Sequence, residues 1–228
     1  MLTHHTYFNL DAYKNPATGL IWDHTLHLPY GKRYLAADGG ALPTGAIATA
    51  AAGSANDFAS KPGIPLGRGR SLSGFKSNCG SGCEGYNAFW VFDTSPPPPR
   101  DAALLTLASP WSGVRADLRT NQPGVVLYSC AWSDGKADLK RTQGAAGRKK
   151  VEKSSCIAIE PQDYVDGINQ CVAAPDLSCL PAYSPDRPIR ETLTPRLLRS
   201  PEWGRVDAQI TGPGETYVWE SSWTFGTL

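Results

Sequence analysis

The sequence has little charge imbalance and no long apolar run. Its 228 residues include 22 Lys and Arg against 21 Asp and Glu, which gives a formal net charge of +1 at pH 7. A nearly neutral chain offers no electrostatic reason to bind nucleic acid or an anionic membrane. No apolar run approaches the roughly 20 residues that span a bilayer. We therefore predict neither a nucleic-acid partner nor a membrane partner.

Several catalytic signatures are also missing. There is no G-x-S-x-G turn for a serine nucleophile, no lysine-bearing glycine loop for phosphates and no H-E-x-x-H metal pair. Cys79 and Cys83 are close in sequence, but no second short Cys or His pair completes the four ligands of a zinc site. The sequence therefore predicts no metal site.

The six cysteines leave two interpretations open. Two pairs are close in sequence, Cys79 with Cys83 and Cys171 with Cys179. An even count with close pairs is typical of disulfides formed in an oxidising compartment. Unpaired buried thiols explain the pattern about as well. The location therefore stays open between secreted and cytoplasmic, and the cysteine pairs lean toward secretion.

The distribution of turn residues favours a β protein. Glycine (23) and proline (19) are spread along the chain, as in folds with many short strands. Segments 39–47 and 60–74 are typical of turns and loops, and 133–155 of a solvated loop. Alternating or apolar runs predict strands within 19–30, 87–93, 102–109, 114–120, 124–132, 156–161 and 215–225. No amphipathic helix separates them, so we predict an all-β sandwich in a single domain, residues 1–228.

Candidates for acid–base chemistry are few. The chain has four histidines, which are His4, His5, His24 and His27. On an alternating strand His4 and His5 point to opposite faces, so at most one of them joins any given site. Glu160 ends the apolar run 157–159. A carboxylate at the inner end of a buried strand costs free energy unless it is paired, so Glu160 is either well satisfied or functional.

Six motifs, taken in order, resemble the aldose 1-epimerase (galactose mutarotase) family, of a fungal type. They are LTHHTYFNL (2–10), HTLHL with the following YLAADGGALPTG (24–45), NDFASKPGIPLG (56–67), EGYNAFWVFD (84–93), SGVRADLRTNQPGVVLY (112–128) and CIAIEPQDYVDGIN (156–169). The resemblance implies a galactose mutarotase-like β-sandwich, or supersandwich. Because it covers the C-terminal two-thirds of the family pattern, we expect a fold truncated at its N-terminus. Exposed sheet edges would then favour self-association.

The resemblance also implies an activity, which is interconversion of the α and β anomers of a free hexose such as glucose or galactose. It implies no metal and no organic cofactor. By the motif match, Glu160 is the base that removes the C1 hydroxyl proton and His5 is the acid that protonates the ring oxygen. Asn87 takes the position of a substrate-binding aspartate, and Val126 that of a sugar-contacting glutamine. His24 matches a recurrent family histidine, which we interpret as structural.

Two alternatives stay open beside the enzyme. Asn87 and Val126 remove polar character from the sugar site, and the family's upstream arginine and second histidine have no counterpart in this sequence. These changes favour a catalytically degenerate carbohydrate-binding relative, whereas His5 and Glu160 favour the enzyme. A third hypothesis is a hexose-6-phosphate epimerase, which requires a basic cluster near the cleft that binds the sugar. A candidate basic cluster lies in the predicted loop 133–155 and consists of Arg148, Lys149, Lys150 and Lys153.

Overall fold

The computed structural model describes residues 2–99, 101–145, 147–167 and 213–228, and the fold is given for those residues. They form short strands and two 3₁₀ helices, Leu66–Ser71 and Phe75–Ser77. The strands are β1 (Thr6–Phe8), β2 (Thr25–His27), β3 (Arg33–Ala37), β4 (Pro43–Thr49), β5 (Ile64–Pro65), β6 (Asn87–Val91), β7 (Leu105–Ala108), β8 (Val114–Thr120), β9 (Gly124–Tyr128), β10 (Ile157–Gln162) and β11 (Ser221–Thr227).

Two antiparallel sheets make up the fold. One has six strands in the order β1-β10-β9-β6-β3-β4, and the other has five in the order β11-β8-β7-β2-β5. A single apolar cluster includes Leu107 and Leu118 from the five-stranded sheet, and Leu127 and Ile159 from the six-stranded sheet. The sheets therefore pack face to face, which confirms the predicted all-β sandwich.

Each predicted range overlaps a strand, with β8 matching its range and other strands shorter or shifted, and several details of the prediction were wrong. The expected turn at 39–47 contains the start of β4, whose pairing with β3 overrides the local turn chemistry. The expected loop at 60–74 contains β5 and a 3₁₀ helix. The strand expected to end at Pro161 continues to Gln162, because Pro161 still pairs with Val125 of β9. The repeated prolines after β10 predict a loop to about residue 203; its residues from 168 onward lie outside the described residues, as do all of 168–212.

The cysteines support the disulfide interpretation. Cys79 is bonded to Cys83, as one of the close pairs predicted, and Cys130 is bonded to Cys156 across 26 residues of sequence. The other close pair, residues 171 and 179, lies outside the described residues. Within the part of the chain that the structure describes, no helix could cross a bilayer. No three His, Cys, Asp or Glu side chains converge there to hold a metal ion.

Candidate active site

The register of the six-stranded sheet aligns the candidate residues in rows. His5 stands one residue before β1, and extending the register of β1 with β10 by one residue sets it opposite Glu160. Glu160 pairs with Val126 of β9, and Val126 pairs with Phe89 of β6. Directly paired residues project to the same face of a sheet. His5, Glu160, Val126 and Phe89 therefore form one row across the face.

A second row runs beside the first on the same face, two residues further along each strand. It consists of Tyr7, Ala158, Tyr128 and Asn87, paired in that order across β1, β10, β9 and β6. The opposite face of the sheet is apolar, with Trp90, Val125 and Ile157 in the core between the sheets. Strict alternation therefore separates a core face from a face that can carry chemistry.

Glu160 and His5 are in direct contact. The Nε2 atom of His5 lies 3.1 Å from Oε1 of Glu160; the Glu160 side chain is 10% exposed, whereas that of His5 is 50% exposed. Burial raises the pKa of Glu160 above its ordinary value of 4.5, and the neighbouring His5 offsets part of this rise. A carboxylate with a raised pKa is a stronger base, which suits it to take a proton from a hydroxyl group.

Tyr7 completes this edge of the site. Its ring stacks on the His5 imidazole with the ring centroids 5.0 Å apart. Burial raises the pKa of Tyr7, and the charges of Glu160 and Tyr128 raise it further. Tyr7 therefore stays protonated near neutral pH, and its hydroxyl is available as a hydrogen-bond donor.

An open cavity of about 200 Å³ adjoins Glu160. Strands β3, β4, β6, β9 and β10 contribute to its wall, and its polar side chains are Asn87, Glu160 and Gln162. Much of the remaining wall is apolar, including Leu35 and Phe89. This volume is below the roughly 300–1,000 Å³ of pockets for drug-sized ligands, and it suits a single sugar ring.

The structure differs from the sequence-based expectation in one respect. The family resemblance implies an acid and a base on opposite sides of one sugar. Instead His5 and Glu160 touch, because His5 comes directly before β1, next to the strand that carries Glu160. Glu160 and Asn87 line the cavity, and His5 stands beside it at the β1 edge. Their catalytic and binding roles stay a prediction.

His4 and His24 lie away from this face. The His4 ring lies 6.3 Å from Trp219 and 6.4 Å from Trp223, on the reverse side of β1 from His5. His24 is buried, its pKa is lowered by that burial, and its Nε2 accepts a hydrogen bond from the backbone N–H of Leu10 at 3.0 Å. This arrangement agrees with a structural interpretation of His24.

Two residues of the basic cluster are bonded to groups away from the cavity. Arg148 donates a hydrogen bond to the carbonyl oxygen of Asn15 at 2.5 Å, and Lys150 forms an ion pair with Asp138 at 2.6 Å. None of its four residues lines the cavity beside Glu160. The structure therefore gives no support to the hexose-6-phosphate reading.

Sequence reasoning missed the aromatic residues of the second row. The same alternation that separates His4 from His5 also places Tyr7 with His5, and Tyr128 with Val126. That signal was present in both strands. The strand predicted over 124–132 ends at Tyr128, so Trp132 lies in the irregular segment after β9, where alternation does not fix the direction of a side chain.

Comparisons with known proteins agree with this fold. The sequence model of the aldose 1-epimerase family matches residues 1–174. The chain therefore belongs to the aldose 1-epimerase family.

Two fungal relatives and one solved structure extend this result. A probable aldose 1-epimerase of Arthroderma benhamiae is 30% identical over 188 residues, which cover 74% of this chain and 41% of that protein. Epimerase FSL3 of Gibberella zeae is 28% identical over 187 residues, which cover 74% and 42%. The structure of a GalM/aldose epimerase homologue from C. elegans matches with a TM-score of 0.50 and 23% identity, over 71% of this chain and 41% of that one, and it supports the fold. The chain spans about two-fifths of the length of the curated relatives it matches.

Proposed function

We propose that this chain carries a mutarotase site that interconverts the α and β anomers of a free aldohexose by general acid–base catalysis. The observation that carries the proposal is the contact between His5 and Glu160, 3.1 Å apart, at the edge of a cavity of about 200 Å³. Membership of the aldose 1-epimerase family supports the same chemistry.

The geometry suits the reaction because both reacting oxygens are bonded to one carbon, C1. A sugar lying over the first row can present its C1 hydroxyl to Glu160 and its ring oxygen to His5. The Glu160 carboxylate removes the hydroxyl proton while the bond from C1 to the ring oxygen breaks and the aldehyde forms. The imidazolium of His5 gives its proton to the departing ring oxygen.

The same pair closes the ring. After rotation about the C1–C2 bond, neutral His5 takes the proton back from the open-chain hydroxyl as that oxygen attacks the other face of C1. Glu160, now protonated, returns its proton to the aldehyde oxygen. Each group ends in its starting state, so the cycle needs no further reactant.

A binding protein without catalysis is the second candidate function, and two residues favour it. Asn87 lines the cavity with a neutral amide, which can hydrogen-bond a hydroxyl but brings no charge to the site. Val126 occupies the first row between Glu160 and Phe89 with a side chain that cannot hydrogen-bond. Losing polar contacts that strengthen in the transition state lowers transition-state stabilisation more than it lowers the affinity for the sugar.

Polarimetry of freshly dissolved α-D-glucose and α-D-galactose tests the proposal. We expect a rate above that of buffer, and a loss of roughly 10²- to 10⁴-fold in Glu160→Gln, because general acid–base catalysis is worth about that much. Glu84→Gln is the matched control, since Glu84 pairs with Arg70 away from the cavity. A parent rate equal to buffer excludes catalysis and leaves the binding function. Full activity in Glu160→Gln removes the base assignment.

A further inference from the structure

Strand β11 has an open edge. Within the described part of the chain it is the outer strand of the five-stranded sheet and pairs only with β8. At its two ends, the N–H of Leu228 donates to the carbonyl oxygen of Gly113, and the carbonyl oxygen of Glu220 accepts from the next strand's segment. Hydrogen-bonding direction alternates along an antiparallel strand, so the even-numbered residues of β11 face β8. The backbone groups of residues 221, 223, 225 and 227 therefore point out at the open edge.

This edge lacks the features that usually protect an edge strand. Its seven residues, SSWTFGT, include no charged residue and no proline. Natural edge strands often use lysine, proline or a β-bulge to prevent pairing with another chain. Here the register with β8 runs without a shift from Ser221 to Thr227, so no bulge is present. The edge of β11 is therefore ready to accept another strand.

The core face of β11 carries an aromatic ring that is left in water. Trp223 and Phe225 pair with residues of β8 that are fully buried in the core, so both rings lie on the core face of the sheet. Trp223 packs on Phe8 of the other sheet, with the ring centroids 4.7 Å apart. Phe225 stacks on Trp223 with centroids 6.4 Å apart, yet it is 58% exposed. An exposed apolar ring at an open edge is typical of an interaction surface.

Two polar side-chain atoms of β11 point the same way. The Oγ of Ser221 and the Nε1 of Trp223 are buried, and neither has a hydrogen-bond partner among the described residues. Only four side-chain atoms in the described part of the chain are in this state, and two of them are on this strand. Buried polar groups in folded proteins are nearly always paired, so β11 is a strand whose bonding is incomplete.

The strand is complementary to a copy of itself. With residue 224 of each copy facing its counterpart, Trp223 lies opposite the partner's Phe225, and Phe225 lies opposite the partner's Trp223. Odd-numbered residues then meet odd-numbered residues, so the outward backbone groups of the two strands bond to each other. Ser221 lies opposite the partner's Thr227, whose hydroxyl can bond the unpaired Oγ. Neither strand brings a charge, so nothing in the pairing is repelled.

We propose that β11 is a dimer interface, at which two copies of this chain pair antiparallel about a two-fold axis at Thr224. The two five-stranded sheets then become one continuous sheet of ten strands. A second copy is the fitting partner because the same register pairs all seven residues and forms two reciprocal aromatic pairs, from Trp223 and Phe225. An isologous interface uses the same surface on both subunits, so the assembly closes at two copies.

Analytical ultracentrifugation of the full chain over a range of concentrations tests the interface. We expect an equilibrium between monomer and dimer. Phe225→Lys is expected to weaken dimerisation at least about tenfold, because the substitution removes both aromatic pairs at once. Leu42→Lys is the matched control, since Leu42 is 65% exposed between β3 and β4 of the other sheet, and its dissociation constant should equal that of the parent.

Three results of that experiment would overturn the proposal. They are a parent that stays monomeric up to its solubility limit, growth beyond a dimer, and dimerisation that Phe225→Lys leaves unchanged. The first would leave the edge to a strand from another protein, and the second would require an interface that does not close.

Cysteine cross-linking tests the register even if Phe225→Lys does not fold. The two copies of residue 224 form a non-hydrogen-bonded pair with Cα atoms about 4.5 Å apart, within the range of a disulfide. Thr224→Cys is therefore expected to form a covalent dimer under mild oxidation, whereas the parent, with its own cysteines, is not. Ser222→Cys is the control, because the two copies of residue 222 lie four residues out of register, about 13 Å apart. Equal cross-linking of the two variants, or none in Thr224→Cys, would refute the proposed pairing.

Discussion

Removing the Cys130–Cys156 disulfide is expected to destabilise the fold more than removing Cys79–Cys83. All four cysteines are buried, between 2% and 4% exposed, so replacement by Ala loses similar packing at each site. The sequence separations differ, at 26 and 4 residues. Loop-closure entropy of the unfolded chain then gives about 3.5 kcal/mol for the longer loop and about 1.9 kcal/mol for the shorter one at 25 °C.

Urea unfolding of the two double-Ala variants, followed by tryptophan fluorescence under non-reducing conditions, measures the difference. We expect free energies of unfolding about 1.6 kcal/mol apart. The melting temperatures should fall by about 7–14 °C and about 4–8 °C, respectively, for a chain of this size. The parent protein is the reference for both. A loss at Cys79–Cys83 equal to or larger than that at Cys130–Cys156 would refute the loop-closure reasoning.

Three further predictions concern single residues. Glu160→Gln is expected to raise the melting temperature near neutral pH, because burial raises the pKa of Glu160 and penalises its charged form. Melts across pH should show this gain disappear below pH 4.5, where the parent carboxyl is also neutral. Gly124→Ala should lower the free energy of unfolding in urea by about 1–3 kcal/mol, because the added Cβ would overlap the Phe89 ring. Gly226→Ala is the control, since a Cβ there meets nothing within 4 Å. Equal losses of unfolding free energy in the two variants would contradict the steric argument. Burial lowers the pKa of His24 below 6.5, so the unfolded chain takes up the proton first as the pH drops below that value, and the free energy of unfolding should fall. The fall should be smaller in His24→Leu, which has no imidazole to protonate. Equal slopes of unfolding free energy against pH in the parent and the variant would be evidence against this.

The fold class was predictable because local patterns and tertiary burial agree over much of the sandwich. In β8, alternation predicts Val114, Ala116 and Leu118 as inward residues; Ala116 and Leu118 are fully buried, whereas Val114 is only partly buried. In β10 the run from Ile157 to Ile159 is apolar throughout, and all three residues are buried. Such segments carry their own pattern, so no knowledge of partner strands was needed.

The prediction was wrong where pairing with another segment decides the structure. Pro43 and Gly45 are typical of a turn, yet β4 forms because it pairs with the preceding strand β3 as a hairpin. The bond between Cys130 and Cys156 likewise spans residues with no local signal of closeness. Short-range chemistry does not encode which distant segment comes to lie alongside.

The candidate site was also predictable from local sequence only in part. Burial of a strand-end carboxylate marked Glu160 from its neighbours alone, but only the family motifs paired it with His5. Their direct contact depends on the register between β1 and β10, which no single segment contains. The position of Trp132 was not predictable for a similar reason, since it depends on the nearby Cys130–Cys156 bond and on a hydrogen bond to Tyr128.

The pairing of Thr6 with Ile159 also has a kinetic consequence. Strands so far apart in sequence meet only after a very long loop has closed, which makes their docking slow compared with hairpins such as β7 with β8. We therefore expect the acid and the base to come together late on the folding pathway, after the hairpins have formed. A partly folded chain would then hold much of its native sheet structure while lacking the contact on which the proposed catalysis depends.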